Sequence, residues 1–546
     1  MRKLGIALSL LILILIVWVE SWINIPHPTI SDTSITTLKV DTLSSTRFVL
    51  KNNFINKKKE GIWELYTEGT PFEIGYSTGK LSQDILQQQE RVFIEKISEK
   101  SPSKSIGVIR VLNAMYNRHL DNRILPEYCK EMYGISLNAS TKYNDFGTPY
   151  QRILNYHGIY DIEHSFEDVE VKGNTAFAIK GKKTLDNDVL IGRNFDFSLG
   201  KEFDQQKIIH FVKPQEGFKY ASISWGGFIG AVSGMNETGL TVSINAVESK
   251  FPLAATMPMS LIAREILQYA LTVDEAYNIA FTKEAYISES ILVSSAFDTT
   301  AILIEKTPTG IDSLHMRTDE LIVTNHLQTP SLHPAKVYNE ENATQYRAIR
   351  LTELLAERQH LSVIDIARIL RDTKGIENQN IGYGNQKSIN TLNLHHSVIF
   401  KPLSKEMWVA AHHSQLDEYI CYNLDSVFQG AENYPPPISL SITNKHIPKD
   451  EFIETTDFKN YATFKALATK YKNWNYELEK LTDNEIQEFI QLNPEAYESY
   501  EIIGDYYAKN NNWKTAAEYY QMALSKEVAT LKSKKELQEK VSVTVK

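Results

Sequence analysis

Covalent chemistry needs a nucleophile with a base, a phosphate cradle or a metal site, and the sequence lacks the common ready-made sets. There is no G-x-x-x-x-G-K-[ST], no H-E-x-x-H, no G-x-S-x-G and no EF-hand loop in the 546 residues. The only cysteines are Cys129 and Cys421, which excludes a disulfide scaffold and a cysteine-based zinc site. His395-His396 and His412-His413 are adjacent pairs. On a strand neighbours face opposite sides, so neither pair is a natural chelate, and no metal or cofactor is expected.

What the sequence does offer is a series of Asn, Arg and Asp residues where strands begin or end. Lys172-Gly-Asn-Thr-Ala-Phe-Ala178 opens a strand, and Ile191-Gly-Arg-Asn-Phe-Asp-Phe197 closes the next one. A hairpin between them returns Arg193 and Asp196 to residues 173–175. Gly234-Met-Asn-Glu-Thr-Gly-Leu240 is a turn feeding a strand that ends in Ser243-Ile-Asn-Ala246. Leu321-Ile-Val-Thr-Asn-His326 puts Asn325 at another strand end, and Arg347 lies in the helix opened by Thr344-Gln-Tyr-Arg347. Singly, such an Asn is a turn former and such an Arg a solvated face. Together they would supply amide donors and cations to an oxyanion during acyl transfer.

The elements that must position them follow from periodicity. Runs at 175–179, 189–191, 208–212, 220–224 and 239–244, separated by turn signals, predict an antiparallel meander. Helical spacing predicts helices over 81–98, 261–271, 273–281 and 348–359, and further strands fall at 290–293, 301–305 and 321–323. Strand runs with clustered helices give an α+β class, helices layered on antiparallel sheet.

Around that core the chain divides. Residues 4–19 carry no charge and follow Arg2-Lys3; as a helix, with Trp22 and Ile23 added, they approach the ~30 Å hydrocarbon thickness. No A-x-A site follows, so residues 1–23 read as an uncleaved signal-anchor with the bulk of the chain outside the cytoplasm, at the periplasm or cell surface; a cleaved signal peptide is the alternative. Residues 24–60 read as a polar stalk with some strand content, 61–428 as the main domain, 429–460 as a linker around Tyr434-Pro-Pro-Pro-Ile438, and 461–546 as helical. Within 497–530, Tyr500, Ile503, Gly504, Tyr507, Ala516, Tyr520 and Ala523 fit a 34-residue tetratricopeptide (TPR) frame. That hairpin is either a cap on the main domain or a surface for a protein partner. The net charge of −9 argues against a nucleic-acid partner.

This order of motifs resembles the acyl-coenzyme A:6-aminopenicillanic acid acyltransferase-like family, the C45 peptidase-type branch of the N-terminal-nucleophile (Ntn) hydrolases, with choloylglycine hydrolases and acid ceramidase as more distant relatives. The resemblance covers about 61–428. It rests on Glu68-Gly-Thr-Pro-Phe-Glu-Ile-Gly75 with Gly79, on Gly192-Arg-Asn-Phe-Asp196 and Gly234–Gly239, and on Asn245, Thr324-Asn-His326 and Arg347. It implies a four-layer αββα sandwich and chemistry on a small linear amide or acyl compound by a self-cleaving precursor. It also implies that Asp196 binds the nucleophile's amino group with Arg193 beside it. Asn245 and Asn325 would supply oxyanion and amino contacts, and Arg347 would lie near the attacking atom.

Gly173 matches the residue before the scissile bond, where the family has Cys next; here that position is Asn174, and a carboxamide is no nucleophile. Thr175 is the rescue candidate, although a one-residue shift turns its hydroxyl to the other strand face. Three readings stand: an amidohydrolase or acyltransferase with Thr175 or unusual chemistry replacing the lost Cys, an inactive ligand-binding relative, or a purely structural envelope protein. Without a freed amino group, Arg193 or Arg347 is expected beside Asp196.

Overall fold

The computed structural model describes residues 25–58, 61–100, 117, 120–166, 173–197, 203, 206–249, 256–285, 287–332, 341–356, 358–412, 414–472 and 480–544. The expected anchor, residues 1–23, lies outside these, as does His413. Among the described residues no helix is long and apolar enough to cross a membrane.

Two sheets carry the site. The smaller contains β5 (Thr175–Gly181), β6 (Asn187–Phe195), β14 (Glu320–Val323), β15 (His396–Lys401), β16 (Glu406–Ala410) and β17 (Tyr419–Asn423), in the order β14-β5-β6-β15-β16-β17. The larger contains β1 (Asp41–Ser44), β2 (Arg47–Leu50), β3 (Asn53–Lys57), β4 (Ile62–Gly69), β7 (Lys207–Pro214), β8 (Tyr220–Ser224), β9 (Ser233–Asn236), β10 (Thr241–Ala246), β11 (Glu289–Ser295), β12 (Thr300–Thr307) and β13 (Gly310–His315). These eleven strands run in chain order, and the β4–β7 pair is parallel. The single expected meander is therefore split: β5 and β6 belong to one sheet and β7–β10 to the other.

Period-2 alternation explains the layering. Ala176, Ala178 and Ile191 meet Ile209, Phe211, Leu292 and Leu303 between the sheets. The alternate residues Val242, Ile244, Ile291 and Ile302 face helices α1 to α6, chiefly α3 (Pro126–Ser136), α4 (Pro149–Phe166), α5 (Met259–Tyr269) and α6 (Val273–Thr282); α1 (Pro71–Leu81) and α2 (Gln83–Lys100) complete that layer. On the far side Phe177, Ile179 and Leu190 face α7 (Ala343–Ala356) and α8 (Val363–Leu370). Helix, sheet, sheet, helix is the αββα order.

The early glycine motif belongs to this packing. Thr70 caps α1 reciprocally with Glu73 and Pro71 follows at the first turn. A Cβ on Gly75 would stand 1.9 Å from the Glu131 carbonyl oxygen, and one on Gly134 2.5 Å from the Tyr76 nitrogen. Only glycine lets α1 and α3 approach so closely.

Two boundaries differ from expectation. Residues 41–57, read as stalk with some strand content, are three strands built into the larger sheet, because Val49, Leu50, Phe54 and Ile55 are buried. The residues read as linker lie against that sheet: Arg47 donates to the Pro436 carbonyl (2.7 Å), Asn56 to that of Pro437 (3.1 Å), and the Leu440 amide to Glu64 (3.0 Å). Helix α9 (Leu424–Gly430) precedes them.

The C-terminal helices are α10 (Thr456–Lys472), α11 (Asp483–Gln491), α12 (Tyr497–Lys509), α13 (Trp513–Leu524) and α14 (Leu531–Thr544). Residues 497–530 hold α12 and α13, with Gly504 against the Tyr520 ring. This region is docked: Leu392 and Leu416 of the main domain enter its core beside Phe464, Phe489 and Ile503.

Candidate functional site

Gly173 and Asn174 lead into β5, and Asp196 follows the last residue of β6. The hairpin brings them together. The Gly173 amide donates to Asp196 Oδ2 at 2.7 Å, and the Asp196 amide donates to Asn174 Oδ1 at 2.6 Å. Asn174 is fully buried, and its Nδ2 has no hydrogen-bond partner. A Cβ on Gly173 would meet Asp196 Oδ2 and the Thr391 methyl, each at 2.9 Å. Residues 391–394 thus wall this end of the site.

A second group lies about 10 Å along β6, three residues back. Arg193 shares the inter-sheet face with Ile191 and is fully buried. Its guanidinium donates to Asn245 Oδ1 and to the Ile244 carbonyl at the end of β10, and Nε donates to Ser233 Oγ at 3.4 Å. Asn245 Nδ2 is buried without a partner. One residue on, the Ala246 carbonyl accepts from Asn325 Nδ2 (2.8 Å), and Asn325 Oδ1 accepts from Arg347 (2.7 Å). Arg347 also donates to the Gln386 carbonyl. Arg193, Asn245, Asn325 and Arg347 thus form one line joining β6, β10, the end of β14 and α7.

The guanidinium groups of Arg193 and Arg347 are seen on amide, hydroxyl and carbonyl oxygens, and the Asp196 carboxylate on the Gly173 amide. Thr175 is not part of either group. It pairs with Asn194, whose side chain donates to the Leu370 and Ile389 carbonyls on the helix side. Alternation places the Thr175 hydroxyl on that outer side with Phe177, buried and without a partner.

Both cysteines are free and buried. Cys129 lies in α3 with its side chain in the core, and Cys421 on the outer side of β17. Burial pushes their thiols up to about 11 and about 12, so neither is a thiolate at neutral pH.

Sequence reasoning missed Ser233, His395 and His396. His395 precedes β15 and does not lie in it, so the two rings are not held on opposite faces; their Nδ1 atoms are 2.9 Å apart, and His396 Nε2 lies 2.8 Å from Ser233 Oγ. Burial pushes His395 down to about 3 and His396 well below the usual imidazole range, so both are neutral. Among the described residues no cluster of His, Cys, Asp or Glu could hold a metal ion. Ser233 was legible only as the residue preceding the Gly234 motif. That motif is a fold device: Asn236 Oδ1 accepts from the Thr238 and Leu240 amides and Nδ2 donates to the Leu267 and Ala270 carbonyls.

Residues 183–415 match the model of the family described as acyl-coenzyme A:6-aminopenicillanic acid acyl-transferase. An uncharacterized protein of Archaeoglobus fulgidus is 24% identical over 235 residues, 40% of this chain and 39% of the relative. Protein dcd1B of Dictyostelium discoideum is 24% identical over 261 residues, 44% of this chain and 49% of the relative. The matches thus span half or less of the length of these relatives. Among solved structures, a Caenorhabditis elegans ortholog of N-acylethanolamine-hydrolyzing acid amidase is similar with 15% identity and a TM-score of 0.30, covering 42% of this chain and 93% of that one. A mutant of conjugated bile acid hydrolase from Clostridium perfringens has 12% identity and a TM-score of 0.31, covering 44% of this chain and 89% of that one. The part of this chain that is similar to the acyl-coenzyme A:6-aminopenicillanic acid acyl-transferase family is thus residues 183–415, which carry Arg193, Asp196, Asn245, Asn325 and Arg347.

Proposed function

We propose that this domain binds a small linear amide or acyl compound without cleaving it, on an Ntn-hydrolase-type scaffold that has lost its nucleophile. One observation carries the reading. Asn174 stands where the chain enters β5, engages Asp196 through Oδ1, and leaves a buried Nδ2 donor without a partner. Asn245 repeats the pattern: Oδ1 is held by Arg193 and Nδ2 is unpartnered. A buried donor without an acceptor costs about 1–3 kcal/mol, and a carbonyl or carboxylate oxygen of a ligand removes that cost. Turnover has less support: the Thr175 hydroxyl faces the helix layer and both thiols are buried and protonated.

In this reading residues 4–23 anchor the chain and hold the domain outside the cytoplasm, and the helices of 497–530 offer a surface to a protein partner. A reporter active only in the cytoplasm, fused after Lys546, should stay silent.

The direct test is calorimetry with hexanamide on the full chain, followed by recovery of the ligand. Saturable binding with intact amide supports the reading. Release of hexanoate, or a mature chain beginning at residue 174 or 175, overturns it in favour of an enzyme.

A further inference from the structure

The segment 382–394 has two faces. One meets the site: the Gln386 carbonyl accepts from Arg347, and Thr391 and Leu394 lie against Gly173. The other meets the C-terminal helices. Tyr383 and Asn493 exchange hydrogen bonds, the Tyr383 amide to Asn493 Oδ1 (3.1 Å) and Asn493 Nδ2 to the Tyr383 carbonyl (2.9 Å). Gly382 approaches Ala496 so closely that a Cβ would stand 2.5 Å from its Cα, and φ at Gly382 is +80°. The residues flanking Gln386 are both tied to Glu527, just beyond α13. Asn385 Nδ2 donates to the Glu527 carbonyl (2.8 Å), and Lys387 Nζ pairs with Glu527 Oε1 (2.6 Å) while lying over the Tyr346 ring.

We propose that the C-terminal helices are a positioning element for the site, with Glu527 acting through Lys387 and the Gln386 carbonyl to hold Arg347 on Asn325. The Lys387 side chain is 4% exposed, so its charge relies on Glu527 rather than on water. Releasing Glu527 frees the two residues that fix the direction of the Gln386 carbonyl. Arg347 then loses one of its anchors, and the line through Asn325 to Ala246 and Asn245 loosens. This assigns the helices a role beyond capping: whatever engages α12 and α13 acts on the site through the turn that follows them.

The ligand arm of the test rests on the binding reading above; a second arm does not. Glu527→Gln removes the charge from a partly exposed side chain. Lys387→Met removes it from the other partner and keeps an apolar stem over Tyr346. In each variant the ¹⁵Nε resonance of Arg347, assigned through Arg347→Lys, should shift and exchange faster with water. Hexanamide should bind about tenfold more weakly. The double variant should be no worse than either single one, because both act on one pair. Faster amide exchange in 382–394 with an unmoved Arg347 signal overturns the proposal, as does no change at all. An unmoved affinity where the wild type binds hexanamide also overturns it. If the wild type binds no hexanamide, the binding reading fails and the Arg347 resonance alone decides the positioning role.

Discussion

Asn174 and Asp196 clamp the two ends of the β5–β6 hairpin reciprocally: the carboxamide oxygen of Asn174 takes the Asp196 amide, and the Asp196 carboxylate takes the amide of Gly173. The Asn174 carboxamide oxygen thus has a structural task. The full chain should show no new N-terminus at residue 174 by intact-mass analysis. Asn174→Cys tests the surroundings. Its sulfur would replace Oδ1 as the acceptor for the Asp196 backbone amide, a donor that favours the thiolate, and should react with iodoacetamide, or drive self-cleavage, at least tenfold faster than Cys129 and Cys421, whose thiols are held protonated by burial. Equal inertness of all three thiols would show that no activating surroundings remain.

Thr175 offers a sharp contrast. Its hydroxyl is buried without a partner on the helix side of β5. Thr175→Val deletes that unsatisfied group at nearly constant volume, so stability should hold or rise by up to about 1–3 kcal/mol in urea unfolding. Hexanamide binding should not change. Loss of a catalytic activity in this variant would restore the enzyme reading with Thr175 as nucleophile.

The pH dependence is set in part by buried neutral histidines. His157 Nδ1 donates to the Ile153 carbonyl at 2.8 Å, and Nε2 accepts the Ile229 amide at 3.0 Å, which fixes the neutral tautomer. Burial pushes its pKa down to about 4, and those of His210 and His395 to about 3. An unfolded histidine titrates near 6.5, so between that value and the folded pKa the unfolded chain binds more protons. Stability is therefore complete above pH 6.5 and falls as pH drops toward 4, by about 1.4 kcal/mol per unit for each histidine. His157→Gln keeps both the donor and the acceptor and cannot titrate. Its loss of unfolding free energy between pH 7 and pH 5 should be smaller than that of the wild type by about 2 kcal/mol. An unchanged pH slope would mean that His157 is not neutral in the folded state.

The sequence was most legible where one periodicity holds through an element. The strand expected at 220–224 and the helix at 273–281 agree with β8 and α6 within a residue. It was least legible where tertiary contacts set burial. Residues 41–57 look polar, yet Asn53 and Asn56 are buried because their side chains serve the Glu68 amide and the Pro437 carbonyl. Nothing local marks the passage from one sheet to the other between β6 and β7. Within the site, Arg193, Asp196, Asn245, Asn325 and Arg347 stood out as polar groups at element ends. Ser233, Gln386 and Glu527 did not, since a serine before a glycine, a backbone carbonyl and a surface glutamate carry no spacing signal.

The binding reading makes its strongest demand on Asn245, where fold and function use different atoms of one carboxamide. Oδ1 accepts from the Arg193 guanidinium and supports the junction of β6 with β10, while Nδ2 has no partner. Asn245→Asp keeps the acceptor and sets a carboxylate against Arg193, a stronger, charge-assisted bond. It removes the Nδ2 donor and would repel a ligand oxygen. Urea unfolding should thus show equal or greater stability, while hexanamide affinity falls at least tenfold, about 1.4 kcal/mol. Asn245→Ala removes both atoms and leaves the buried guanidinium short of an acceptor, so stability should fall by about 1–3 kcal/mol together with affinity. If Asn245→Asp binds hexanamide as the wild type does, the unpartnered Nδ2 is not a ligand donor. The carbonyl-binding reading of this site then fails, whatever the stability data show.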